Sequence, residues 1–251
     1  MRNIQPERHI FDAYSRHVFL SPHPDDAIWS CGGLIDLLSK GHYPLAIITI
    51  FDGEPAILPP GKPLDAWRTI ARPRLRRMEN ENAMARLNAD HLSLKFVDAA
   101  LRNDGTHFKY TLKSLFHGPV GEADLEQSIS QRLKKIFLPG DLVHAPLASG
   151  DHLDHHIVRS AIDGIDQDTV YYDDFPYPEA QEPKHHTLVY QPVDIRAWID
   201  LAILYRSQVR AIFGTLRNFK MALVKRAGAF GKQAGEKTNW AYRMWFRTAD
   251  A

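Results

Sequence analysis

The 251 residues carry 31 basic and 30 acidic side chains, a net charge of +1, which excludes a broad electrostatic field toward nucleic acid or an anionic membrane. A hydrophobic fraction of 44 % is enough for a substantial core, and no apolar run approaches the ~20 residues that span a bilayer. The single cysteine, Cys31, excludes an internal disulfide framework and suits a reducing compartment. The polar opening Met1-Arg-Asn-Ile-Gln-Pro-Glu-Arg-His9 lacks the apolar core of a signal peptide. A soluble, cytoplasmic chain is expected, acting on a small molecule; a homo-oligomer is compatible with it.

In chain order, His17-Val-Phe-Leu20 predicts a buried strand. Apolar residues at helical spacing over 27–40 (Ile28, Leu34, Ile35, Leu37, Leu38) then predict a helix ended by Gly41. Leu45-Ala-Ile-Ile-Thr-Ile-Phe51 is a second continuous apolar strand, as in a parallel sheet covered on both faces. Together they make one right-handed βαβ unit. Residues 52–63, rich in Gly and Pro, predict a loop, and 72–87 a helix with Met78, Ala83, Met84 and Leu87 facing inward. A third strand is expected at 91–97, then a long surface loop over 98–121 and a helix over 122–137 whose charges suit its dipole. Asp141-Leu-Val-His-Ala-Pro146 predicts a fourth strand, 157–165 a helix, 169–173 a fifth strand, and 187–190 a short further one. One long helix is expected over 194–213, followed by a tail basic up to Lys237 and aromatic at Trp240, Tyr242, Trp245 and Phe246. The pattern is α/β, a single Rossmann-like domain over 1–251 with a mostly parallel sheet and helices on both faces.

Two clusters carry the chemistry. Ser21-Pro-His-Pro-Asp-Asp26 places an imidazole and two carboxylates between a strand and a helix, at the edge where ligands bind in open α/β sheets. By itself such a turn also fits a capped helix start, with Asp25 or Asp26 accepting backbone N–H bonds. The second cluster, Asp151-His-Leu-Asp-His-His156, also follows a predicted strand and faces the same crevice, which two coincident caps explain poorly. His23, Asp26 and His155 form a two-histidine, one-carboxylate set that leaves zinc an open position; other divalent metals fit the same ligands. Asp25 and His152 remain for acid–base work, and Asp154 is placed to orient an imidazole.

These residues resemble the two signatures of the PIG-L/LmbE-like deacetylases: Ser21-Pro-His-Pro-Asp-Asp26 with Gly32-Gly33, and His152-Leu-Asp-His155. That family includes N-acetylglucosaminyl-phosphatidylinositol deacetylase, the deacetylases of mycothiol and bacillithiol synthesis, and antibiotic-pathway sugar deacetylases. The similarity covers about residues 17–160, including Arg76-Arg-Met-Glu79, with weaker echoes at Asp173-Asp-Phe-Pro176 and Tyr205-Arg-Ser-Gln208. The resemblance implies that His23, Asp26 and His155 bind zinc and that Asp25 is the base that deprotonates the attacking water. It further implies that His152, protonated, stabilises the oxyanion with Asp154 holding its ring, and that Arg76 contacts substrate. The implied reaction is removal of acetyl from an N-acetylated amino sugar. Its rivals are hydrolysis of a different amide conjugate and a carbohydrate-binding module without turnover. Asp98 and Arg102 are candidates for sugar contacts at the crevice mouth.

The chain departs from the common signature at Ala27, where relatives have Glu, and Glu54 on the neighbouring loop is a candidate replacement. Gly32-Gly33 is expected to serve close helix–sheet packing, Cys31 to be buried, His156 to point away from the ligands, and His185-His186 to lie in an exposed turn. The late aromatic residues are expected to pack in the core or between subunits.

Overall fold

Strand β1 (Arg16–Ser21) sits at the centre of the molecule because its residues are apolar on both faces: Phe19 joins one core, Val18 and Leu20 the other. The computed structural model describes residues 9–60, 64–117, 121–179, 183, 185–235 and 238–247. The N-terminal octapeptide, the last residues of the 52–63 loop, residues 118–120 of the long loop and the end of the basic run at Lys237 lie outside the described residues. A short α1 (His9–Asp12) precedes β1, and α2 (Asp26–Lys40), β2 (Leu45–Gly53), α3 (Pro73–Met84) and β3 (Asp90–Val97) follow. Then come α4 (Ala123–Lys134), β4 (Asp141–Pro146), α5 (Leu153–Asp163), β5 (Thr169–Tyr172) and β6 (His186–Pro192). The last described elements are α6 (Ile195–Ala202), α7 (Arg206–Phe213), α8 (Leu216–Ala234) and β7 (Ala241–Arg247).

The seven strands make one mixed sheet in the order β3-β2-β1-β4-β5-β7-β6, with β1 to β5 parallel. Strand order reverses between β1 and β4, so the loops leaving these two strands part and open a crevice at their carboxyl ends. One face is covered by α2, α6, α7 and α8, the other by α4 and α5. The expected α/β sheet with helices on both faces is the observed one.

Several elements differ from expectation. The single helix expected over 194–213 is two. Glu79 of α3 accepts hydrogen bonds from the Ser207 N–H (2.7 Å) and Oγ–H (2.6 Å). A carboxylate there satisfies the Ser207 amide, one of the free N–H groups at the start of α7. The inner face of α3 is polar: Arg76, Glu79 and Asn80 are buried beside Ala83 and Met84, whereas Met78 is 53 % exposed. Asn80 accepts from the Tyr205 hydroxyl at 2.7 Å and donates to Thr49 Oγ1 at 3.3 Å. The tail supplies α8 and β7, and β7 inserts antiparallel between β5 and β6, burying Tyr242 and Trp245. His185 is exposed in a turn, but His186 opens β6.

Gly32 and Gly33 serve a helix–helix approach, not helix–sheet packing. A Cβ on Gly32 would stand 2.6 Å from the Trp198 ring of α6, and one on Gly33 would stand 2.9 Å from Val193. Two indoles fasten the same contact, Trp198 Nε1–H donating to Ile28 C=O (2.9 Å) and Trp29 Nε1–H to Ala202 C=O (3.0 Å). Cys31 is buried, and burial pushes its thiol well above the usual range. The 98–121 segment is not a bare surface loop: Ala99, Leu101, Tyr110 and Leu115 are buried, and 113–116 form a 3-10 turn.

Candidate metal centre and active site

The first turn leaves β1 through Pro22 and Pro24. Ser21 Oγ accepts the Ala27 N–H at 2.9 Å and donates to the His23 carbonyl at 2.5 Å, closing the turn over its own strand. This gives Ser21 a structural use. Asp25 occupies the N-cap position of α2 but makes no side-chain cap. Its carboxylate instead pairs with the Arg76 guanidinium, and Arg76 also reaches Asp98 Oδ2 at 3.3 Å. The capping reading therefore fails for Asp25, which is held toward the crevice by a buried arginine.

His23 and His155 converge on Asp26. Asp26 Oδ2 lies 3.1 Å from His23 Nδ1 and 3.2 Å from His155 Nε2. A tetrahedron drawn with zinc–ligand bonds of ~2.05 Å has edges of about 3.3 Å, so both separations from Asp26 match ligand spacing, and the ligand atoms of all three residues lie within 4.8 Å of one another. His155 Nε2 is buried and makes no hydrogen bond, while its Nδ1 is fixed by Asp174 Oδ1 at 2.5 Å. On the other ring, His23 Nε2 meets Asp154 Oδ2 at 3.0 Å. Each imidazole thus turns one nitrogen to the centre and the other to a carboxylate, the arrangement that orients metal-binding histidines. The residues fit a divalent metal. Electrostatics agree. Burial alone would lower the His155 value, but Asp26 and Asp174 overcome it and push the imidazole up to about 10. Burial likewise opposes ionisation of Asp26, yet His155 and His23 hold it well below the usual carboxylate range. Between Asp26 and His155 the protein demands a cation, and a metal would displace the proton.

His152 is the N-cap of α5, and its Nδ1 accepts the Asp154 N–H at 3.2 Å. Two expectations are corrected here. The Asp154 carboxylate holds His23, not His152; it also accepts the Ala99 N–H at 2.9 Å and pairs with Arg102. The helix start places the Asp154 main chain, not its side chain, against the His152 ring. His152 is also not poised as a cation: burial first, then the neighbouring His23 and His155, lower its value well below 6.5. It is a neutral ring whose Nδ1 accepts, so Nε2 carries the hydrogen.

A pocket of about 180 Å³ opens onto His23, Asp25, Asp26, Arg76, Asp98 and His152. Arg102 does not line it. Its Nε–H donates to Val97 C=O at 3.0 Å and Nη1 reaches Glu122 at 2.9 Å, which with Asp154 leaves it behind the site. Glu54 does not replace the family Glu, because it pairs with Arg77 (2.8 Å) with its side chain 54 % exposed. Ala27 is instead fully buried in the core. His156 points outward to Asp151. The residue that the sequence reading missed is Asp174. Its signals were a carboxylate pair just past β5, at the same sheet edge as the two recognised turns, and the weak family echo at Asp173-Asp-Phe-Pro176, neither of which says which acid meets a histidine.

A histidine–carboxylate centre at the switch point of a parallel sheet, with an arginine-paired carboxylate and a neutral imidazole beside it, has the make-up of a metal-assisted hydrolytic site. The family model described as PIG-L, GlcNAc-PI de-N-acetylase, matches residues 18–165, and the chain belongs to this family. It is 30 % identical over 168 residues to the 2'-N-acetylparomamine deacetylase of Streptomyces fradiae, a match that covers 64 % of this chain and 57 % of that protein. The fold is similar to the zinc-inhibited form of teicoplanin deacetylase, with a TM-score of 0.75 and 21 % identity over 94 % of this chain and all of that one. It is also similar to A40926 pseudoaglycone deacetylase, with a TM-score of 0.69 and 22 % identity over 95 % of this chain and all of that one. Among the described residues no helix is long and apolar enough to cross a membrane.

Proposed function

We propose that this chain is a zinc-dependent N-deacetylase, hydrolysing the acetamide of an N-acetylated amino sugar to acetate and the free amine. The observation that carries the reading is the spacing of His23, Asp26 and His155 beside an Asp25 that has no capping role. The family membership and the deacetylase named in Streptomyces fradiae support it. Any divalent metal of tetrahedral habit would suit the ligands; two nitrogens and a carboxylate favour zinc.

A zinc ion bound there supplies a positive charge that polarises the amide carbonyl and favours ionisation of water. The remaining steps belong to the chain. Asp25, oriented by Arg76, accepts the proton of the attacking water as its oxygen bonds to the carbonyl carbon. His152 donates its Nε2–H to the carbonyl oxygen as negative charge develops, its ring held by the Asp154 N–H. Asp25 then returns its proton to the leaving nitrogen, the C–N bond breaks, and acetate departs.

Acetate release from a panel of free and glycosidically linked N-acetylglucosamine compounds tests the reading. Release should require zinc, stop with chelator and return on reloading. Asp25→Ala should lower it by about 10²–10⁴-fold with one metal per chain retained. Full activity in chelator, or an Asp25→Ala variant as active as wild type, would overturn the assignment.

A further inference from the structure

The pocket has two unlike ends. Its polar groups gather at the buried floor: Asp25, Asp26 and Asp98 are 3 %, 6 % and 6 % exposed, and each is committed to Arg76 or a histidine. Gln208, which also lines it, is buried with its amide N–H on the Ile70 carbonyl at 2.9 Å. The mouth is different. Leu112, Phe116 and Ile212 line it and are 49 %, 41 % and 46 % exposed. Of the ten large apolar side chains left exposed among the described residues, three therefore stand at this one opening. They are continuous with the chemistry, since the Phe116 ring packs edge-on to His152 with centroids 5.2 Å apart. The segment carrying Leu112 and Phe116 is anchored from beneath by the buried Leu115.

A sugar standing alone in the pocket would bury its acetamide at the floor and leave the apolar rim uncovered. An aglycone bearing several amines would find no carboxylate at the mouth, because the lining carboxylates are all at the floor. A flat or branched apolar group would cover all three side chains and release the water over them. Resting on the deacetylase reading, we propose that the substrate is a glycoside whose apolar aglycone lies on Leu112, Phe116 and Ile212 while the acetamide reaches Asp25 and His152.

The test compares kcat/KM for acetate release from the methyl and 2-naphthyl glycosides of N-acetylglucosamine, using the zinc-loaded full chain. Wild type should favour the naphthyl compound by about tenfold or more, the factor returned by covering roughly 60 Å² of apolar surface. The double variant L112S/I212S should bring the ratio to within about twofold of one; Phe116 is left in place because it touches His152. A wild-type ratio near one overturns the proposal and leaves the deacetylase standing, as does a high ratio that the variant keeps. If neither glycoside releases acetate, the deacetylase reading fails for this sugar, and calorimetric binding of the two compounds decides the rim. Tighter binding of the naphthyl compound, lost in L112S/I212S, supports it, and equal binding overturns it. Sedimentation of the two proteins closes the remaining route: a wild-type dimer that the variant dissociates would assign the rim to contact between copies and sink the proposal.

Discussion

Strand β1 has a buried imidazole pair near each end, and the two pairs keep opposite company. At its start His17 Nδ1 meets His144 Nε2 at 3.3 Å, among the rings of Phe11, Tyr43 and Phe19 and, among the described residues, with no carboxylate paired to either ring. Just past its finish His23 and His155 meet Asp26, Asp154 and Asp174. Burial, common to both, lowers a histidine's value. At the first pair only a hydrogen bond to the Phe11 backbone opposes it, and weakly, so His17 falls to about 4 and His144 well below 6.5. At the second pair carboxylates reverse the sign, and His155 rises to about 10. The lesson is that depth does not decide whether a histidine is charged; the carboxylates within reach do. One end of the strand is built to stay neutral, the other to hold a cation.

The largest expected effect tests the neutral end. The unfolded chain protonates His17 near its ordinary value and the folded chain only near 4, so the unfolded state binds more protons between pH 6.5 and 4. Stability should fall as pH drops through that window, by roughly 3 kcal/mol for this one fully buried group. His17→Phe should lose correspondingly less between pH 7 and pH 4.5, measured as urea midpoints within each protein. Equal acid sensitivity in the two proteins would break the comparison at this end.

The cationic end gives the next effect. Asp174→Asn keeps an acceptor for His155 Nδ1 but removes the charge, and metal affinity should weaken about 10–100-fold by competition with a chelating dye. An unchanged affinity would mean that Asp26 alone sets the demand for a cation. The smallest effect uses Glu79 as a control, a buried carboxylate that holds the amide and hydroxyl of Ser207 and no imidazole. Glu79→Gln should cost about 1 kcal/mol, read as a Tm lower by roughly 2–4 °C, and leave metal affinity untouched. A loss of metal there would show that the α3–α7 contact positions the site.

Much of this was legible in sequence because the informative residues sit beside continuous apolar strands. The first two strands, the helix between them and both histidine turns are marked by local patterns, and a parallel sheet brings such turns to one edge. What was hidden depends on distant partners. Asp154 sits at the spacing of a ring-orienting group, but only the helix start decides that it turns to His23 and offers His152 its main chain. Asp174 is one of two adjacent acids, and nothing local says that Asp174 serves His155 while Asp173 takes Arg243 through two bonds of 2.6 and 2.7 Å. The periodicity over 194–213 is continuous, and its interruption is set by Glu79 on another helix. Met78 has the right spacing for an inner face, but the polar network of Asn80, Thr49 and Tyr205 takes that side.

The antiparallel insertion of β7 bears on how the molecule is assembled in time. Strands β5 and β6 do not pair with each other; β7 lies between them and supplies the outer partner of β5, and 68 residues separate Tyr172 from Ala241. During synthesis the outer edge of β5 stays open until those residues have left the ribosome, and an open strand edge is a template for the wrong neighbour. Asp173 receives its Arg243 partner from that same late strand, one residue from the acid that fixes His155. A nascent chain stalled before residue 241 would hold both histidine turns and still lack the Arg243 partner of Asp173, next to the acid that fixes His155, so the two turns are complete in sequence before their surroundings are complete in space.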